Sequence, residues 1–247
     1  MKSKRKSSAL IERRSLGLSE VIASMREKSR YKRIQLFKQH FPLDPETRLL
    51  DLGGWDGSHV NALIQDTSIE RSNVFVADID EQAIELAHER HGFIPVLIPE
   101  DGMLPYPSGY FDVVFCSSVL EHVTVPKSQM WDIRSGTIFR EMSIAHQKDF
   151  ADEIRRLGKA YYIQVPYRDF PIETHTWLPF IAQLPRSLQI NFIRFANKFW
   201  IKQTIPDFYL PTESEMRSYF SDAQILWEKQ LGFRKSLIAI KAQGETQ

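Results

Sequence analysis

Within the stretch RLLDLGGWDGSHV, residues 48–60, an apolar run ends at Asp51, and Gly53, Gly54 and Gly57 follow within the next six positions. Glycines at this density let a backbone turn tightly and pass close to a ligand. Further along, Asp78 closes a second β-branched run, Asn73–Ala77. A carboxylate at the end of a second strand can accept both hydroxyls of a ribose. Three ligands compete for such a turn. A triphosphate loop needs a lysine and a hydroxyl residue after its last glycine. Gly57 is followed by Ser58 and His59, with no lysine, which argues against nucleoside triphosphate hydrolysis. A dinucleotide fingerprint needs a glycine where its backbone meets the pyrophosphate. Trp55 stands there, and its ring would crowd that group. The acid is kept and the phosphate seat is not, so the pattern suits a nucleoside without a pyrophosphate.

These residues need a scaffold that sets strand ends side by side. Residues 48–52, 73–77, 93–98, 111–117 and 160–165 read as short, nearly continuous apolar strands. Residues 18–40, 58–66, 80–91 and 138–157 read as helices between and before them, with Asp80 as N-cap and Gly92 as stop for the third. Strands alternating with helices predict a doubly wound, mostly parallel sheet covered on both faces. Ligands in such sheets bind off the carboxyl ends of the strands, at the point where strand order reverses. Residues 223–231 and 236–240, flanking Gly232, predict a closing antiparallel pair. The proline- and aromatic-rich stretch 166–211 predicts a cap over the ligand end.

The motifs, taken together, resemble class I S-adenosylmethionine-dependent methyltransferases, specifically a bacterial methyltransferase type 11-like group. DLGGWDG (51–57) resembles the D-x-G-x-G-x-G turn of that family, and VADID (76–80) its acidic loop after the second strand. DGMLPYPSGYFD (101–112) is similar to its "D…LPFPDxSFD" segment, and SSVLEHV (117–123) to its "S/D-V-L-E-H-V". The four stand in order across residues 48–125, and residues 223–239 resemble the last strands of the bacterial group.

The resemblance implies an α/β fold. Its core is a doubly wound, mostly parallel, seven-stranded Rossmann-like sheet, with an N-terminal helical arm (1–45), a methyltransferase domain (46–247) and a helical cap (166–211) after the fifth strand. It implies S-adenosyl-L-methionine as cofactor. Gly53 and Gly57, with Gly54 between them, would let the backbone pass the methionine part, and Asp51 would orient its ammonium. Asp78 would hold the ribose, with Ile79 beside it. Asp101, Gly102 and Met103 would flank the adenine, and Ser117 would face the sulfonium. Two departures stand out: Trp55 replaces a glycine, and the segment before Leu104 is one residue short, which leaves both Glu100 and Asp101 open as the adenine acid.

A hydroxyl acceptor needs a general base, and histidine is suited to that near neutral pH. In FPIETHTW, His175 follows the fifth strand and is the candidate, with Glu173 or Asp169 to orient it. His59 and His146 are weaker candidates, the latter placed on the polar face of the long helix. The expected acceptor is a small molecule or a glycan or lipid-linked group, with O-methylation preferred. The alternatives are an RNA methyltransferase recruited by its basic arm and a cofactor-binding partner that has lost catalysis. No RNA-binding module or N-P-P-Y-like segment supports the former, and the retained acids and glycines argue against the latter.

Residues 1–40 carry a net charge of +9 against +1 for all 247 residues, leaving −8 on the rest. In the cap, Leu188, Phe192, Phe195, Ala196 and Phe199 share one helical face, with Arg194, Lys198 and Lys202 in a basic row. That face either packs on the core or meets lipid, and a basic arm suits peripheral contact with an anionic membrane. No apolar run approaches the roughly 18 residues of a membrane span. A lone cysteine, Cys116, excludes an intrachain disulfide and a cysteine-built zinc site. The expected setting is cytoplasmic, without a metal and with nucleic acid disfavoured.

Overall fold

The computed structural model describes residues 27–171, 180–199, 203–242 and 244. The chain divides into two compact units, Met1–Pro42 and Leu43–Gln247. In the first, residues 27–40 form helix α1, and the Phe37 ring packs tilted against that of Phe41 with centroids 4.8 Å apart.

The second unit is built on a seven-stranded mixed sheet. Its elements in chain order are β1 (Leu49–Leu52), α2 (Ser58–Leu63), β2 (Val74–Asp78), α3 (Glu81–His91), β3 (Ile94–Leu97), β4 (Phe111–Ser117) and α4 (Gly136–Leu157). β5 (Gly158–Pro166), α5 (Arg186–Ala196), α6 (Glu213–Tyr219), β6 (Gln224–Gln230) and β7 (Phe233–Lys241) complete it. The strand order is 3-2-1-4-5-7-6. β1 to β5 run parallel, and β7 is antiparallel to both β5 and β6.

Pleating sends alternate residues to opposite faces. Leu50, Leu52, Phe75, Ala77, Val114, Cys116, Tyr161 and Ile163 form one buried layer, closed by Ala151, Ile154 and Leu157 of α4 and by Met216 and Tyr219 of α6. Asp51 has the opposite parity and is therefore on the other face, level with Val76 of β2 and Phe115 of β4. α3 begins as the sequence predicts: Asp80 accepts from the Ala83 N–H, and Gly92, in the left-handed region, ends it.

Three local readings differ from the structure. α2 ends at Leu63 rather than 66. α6 is a helix the apolar periodicity does not reveal. It rests on a capping box, in which Thr212 accepts from the Glu215 N–H and the Glu215 carboxylate accepts from the Thr212 N–H. The helical part of the cap face stops at Ala196, and only that residue of the five assigned to the face is buried. Leu188, Phe192, Phe195 and Phe199 point to solvent, while Gln189, Ile190 and Ile193 pack inward. Lys202 lies outside the described residues. No described helix is long and apolar enough to cross a membrane.

Candidate active site

The strand order reverses at β1. The chain first builds outward to β2 and β3, then crosses to β4 on the other side. The crevice at such a switch point is bounded by the turns after β1 and β4, and here these turns touch. A Cβ placed on Gly53 would lie 2.4 and 2.7 Å from the two Cγ atoms of Val119, just past β4. Gly53 has φ +76° and Gly57 φ +70°, values glycine adopts without strain. The Gly53 and Gly54 N–H groups both donate to the Ala77 carbonyl, at 2.7 and 3.2 Å. Gly57 lies against Phe93 and Ala87, so the turn is held to β2, α3 and β3 as well.

Asp78, at the end of β2, ties the loops together. Its Oδ2 accepts from the Trp55 N–H at 3.0 Å, and its Oδ1 from the Asp80 N–H at 3.2 Å. Trp55 itself has φ +47° and is 67 % exposed, so the side chain leaves the turn rather than filling it. Ile79 and Met103 are likewise exposed large apolar side chains on the loops after β2 and β3. The Met103 loop is anchored from behind. Buried Glu153 accepts from the Leu104 N–H at 2.9 Å, and Arg156, paired with that carboxylate, donates to the Leu104 and Tyr106 carbonyls. Asp101 Oδ1 accepts from the Met103 N–H, and Gly102 takes φ +74° to close this small turn. The Ile98 N–H donates to the Asp78 carbonyl, which joins the Met103 loop to the end of β2.

Asp51 is the electrostatic anomaly. It is 3 % exposed, and its Oδ2 has no hydrogen-bond partner among the described residues. Burial, with the negative charge of Asp78 second, pushes its carboxyl up to about 8. A buried carboxylate oxygen without a donor is costly unless a cation or donor completes it. The ammonium of an amino-acid tail would do so, and the glycine turn that a Cβ would block supplies the room. The residues therefore fit S-adenosylmethionine.

Ser117 ends β4, but its hydroxyl donates to Gln164 Oε1 of β5 at 2.7 Å, and Ser118 Oγ donates to the same oxygen at 3.1 Å. Ser118 has φ +61°, fixed by its N–H on the Gln164 carbonyl. Gln164 thus shapes the turn after β4. Its one sequence signal is a polar residue inside the apolar run AYYIQV.

The histidines sort by contact. His122 Nδ1 lies 3.1 Å from Asp207 Oδ2. His59 sits edge-on to the Phe115 ring. His146, expected on a polar face, is half-buried and donates from Nδ1 to the Thr124 carbonyl. His175 and Glu173 lie outside the described residues. Cys116 is fully buried, and burial raises its thiol well above the usual range, which makes it a poor nucleophile. Among the described residues no group of three His, Cys, Asp or Glu side chains is placed to hold a metal ion.

Residues 50–134 match the family described as Methyltransferase domain. No curated protein sequence matches the chain. Among solved structures, magnesium protoporphyrin IX methyltransferase (ChlM) from Synechocystis PCC 6803 with bound SAH is similar at 16 % identity and a TM-score of 0.50, over 91 % of this chain and 87 % of that one. A chain of the complex between the Haloferax volcanii Trm112 methyltransferase activator and a methyltransferase is similar at 13 % identity and a TM-score of 0.50, over 90 % and 98 %. At these identities the likeness is one of fold. Residues 50–134, which carry the first four strands of a sheet in this order, are thus a methyltransferase domain, and S-adenosyl-L-methionine is the cofactor that its site fits.

Proposed function

We propose that the chain methylates a hydroxyl of a small-molecule, glycan or lipid-linked acceptor. The observation that carries the cofactor seat is the buried Asp51 oxygen, without a partner among the described residues, beside a glycine turn that no Cβ can enter. In this reading Asp51 takes the ammonium, and Gly53, Gly54 and Gly57 pass the methionine tail. Asp78 takes the ribose hydroxyls, Ile79 and Met103 cover the adenine, and Asp101 with Gly102 shapes its edge. Ser117 borders the sulfonium side through the strand end that Gln164 orients. The bound cofactor supplies a methyl group already activated on sulfur. The chain's own residues must align an acceptor, exclude water and remove one proton.

His175 is the proposed base, since its segment leaves β5, whose carboxyl end adjoins that of β4. His175→Ala should leave S-adenosylhomocysteine affinity unchanged in calorimetry while methyl transfer falls about 100-fold or more, the scale of general-base catalysis. A variant that turns over at the wild-type rate removes the assignment.

A second reading, peripheral membrane contact through the cap, is favoured by α5. Leu188, Phe192, Phe195 and Phe199 form an exposed stripe, with Arg194 and Lys198 also exposed. An interfacial helix has this make-up of aromatic anchors beside basic groups. In liposome flotation the chain should rise with vesicles carrying anionic lipid, and a Phe192→Ser, Phe195→Ser variant should stay behind. Flotation that ignores both the lipid charge and these substitutions rejects the contact.

A further inference from the structure

A cavity of about 240 Å³ opens at the same end of the sheet as the glycine turn. It lies between the start of α4, the residues after β5, the start of α5 and Phe208–Leu210. Tyr209, in its wall, donates its N–H to the Glu121 carbonyl at 2.8 Å. Gln147 Nε2 donates to both the Leu120 and Tyr209 carbonyls at 3.0 Å. Leu120 follows Val119, on which Gly53 rests, so the cavity wall and the glycine turn are joined through one short segment.

The charged lining is of one sign. Arg140, Arg168 and Arg186 line the cavity, and among the described residues no lining side chain is acidic. Arg140 is already compensated: Nη2 lies 2.8 Å from Glu215, and Nε donates to the Tyr209 hydroxyl. Arg186 is not. It is 6 % exposed and lies over the Phe139 ring at 3.7 Å. It donates to the Met130 and Ile133 carbonyls and to Gln189 Oε1, all neutral. A guanidinium buried among neutral partners is under-compensated, and burial pulls it down to about 10. Asp207, the acid that acts on it, is engaged with His122. Arg168 is half exposed, and its Nε is 3.8 Å from Asp169 Oδ1, at the limit of an ion pair. The other Asp169 oxygen accepts from the Tyr167 hydroxyl. Gln183 donates to the Arg168 carbonyl at 2.6 Å and so fixes its backbone. The first residues of α4 and α5 line the same space, adding the positive ends of two helices. Gln189 and Tyr209 are the other polar side chains of the wall, and Phe139, Ala182, Leu184, Phe208 and Leu210 give it an apolar face.

We infer that this cavity receives the methyl acceptor by an anionic group, a carboxylate or phosphate on an otherwise apolar body, and that Arg168 reads that group while Arg186 sets the field around it. The inference rests on the methyltransferase reading above and names the acceptor's chemical class. A guanidinium beside an apolar wall forms charge-assisted, bidentate bonds with such groups.

The test uses the full chain loaded with S-adenosylhomocysteine. Phenylacetate, phenyl phosphate and neutral 2-phenylethanol are titrated by ligand-observed NMR. At least one anion should bind about tenfold or more tightly than the alcohol, the scale of one charge-assisted hydrogen bond. Arg168→Gln should bring that anion to the alcohol's level, and Arg168→Lys should keep most of the preference. Vesicles carrying phosphatidate, run as a separate arm, distinguish a lipid headgroup from a free anion, and preference for either source over the neutral probe supports the site. An alcohol bound as tightly as both anions, or an anion preference untouched by Arg168→Gln, overturns it. S-adenosylhomocysteine affinity is measured alongside. A wild-type chain that ignores this nucleoside refutes the cofactor reading, whereas a chain that binds it without anion preference refutes only the inference made here.

Discussion

Gly53→Ala should weaken S-adenosylhomocysteine binding by about 100-fold or more and lower the melting temperature. Two separate effects add. The φ of +76° at Gly53 places a Cβ against the following carbonyl, which costs about 1–2 kcal/mol for an L-residue. That Cβ would also stand 2.4 Å from a Val119 Cγ, and overpacking of this kind costs about 1–3 kcal/mol. The turn relieves both by moving away from Val119, which breaks the paired N–H bonds of Gly53 and Gly54 to the Ala77 carbonyl. Asp78 then loses its fixed relation to the Trp55 N–H. A second substitution separates the two effects. Val119→Ala removes both clashing Cγ atoms and leaves its Cβ at 3.1 Å, a tight contact. The Gly53→Ala, Val119→Ala double variant should therefore recover part of the affinity and keep the deficit due to φ. Calorimetry gives the affinities and thermal unfolding the stabilities. A Gly53→Ala protein that binds the nucleoside like wild type means that the turn is not the cofactor's seat.

The parts of this site that could be read from the sequence are those made by neighbours in the chain. Asp51, Gly53 and Gly57 are close because a strand turns into a helix there. Asp80 and Gly92 bound α3 by local hydrogen bonding alone. The parallel strands announce themselves as continuous apolar runs because both faces are covered. What stayed hidden is made across the chain. Ser117 and Gln164 are 47 positions apart, and only the β4–β5 register brings them level. Periodicity gives α5 two rival stripes, Leu188–Phe192–Phe195 and Ile190–Ile193–Ala196, and cannot say which one packs against Ile181, Phe208 and Leu210. α6 is short and polar, and its one legible sign was Thr212 three residues before Glu215. The arginines of the cavity come from three separate segments, so no spacing rule could have gathered them.

Asp51 should make cofactor binding pH-dependent near neutrality, well above the range in which an ordinary exposed carboxylate titrates. Its carboxyl stands at about 8 because burial, and then Asp78, disfavour the charge. In the unfolded chain it returns to the usual 3.8. Between those values the folded state binds a proton that the unfolded state does not, so this group's contribution to stability falls as pH rises from about 4 to about 8. Binding runs the other way. An ammonium set beside Asp51 favours the ionised form, so at neutral pH the incoming amino acid expels a proton. Affinity for S-adenosylhomocysteine should rise with pH until about 8, and at pH 6 should be about 100-fold weaker than above that point, one factor of ten for each pH unit. Calorimetry at pH 7 in two buffers of different ionisation enthalpy should report close to one proton released per site. Asp51→Asn keeps the shape of the side chain and removes the titration. It should bind more weakly at pH 8 and flatten both the affinity profile and the stability profile. If wild type shows a flat affinity from pH 6 to 8 and releases no proton, then Asp51 does not meet the ammonium, and the buried oxygen beside the glycine turn must be completed by some other donor.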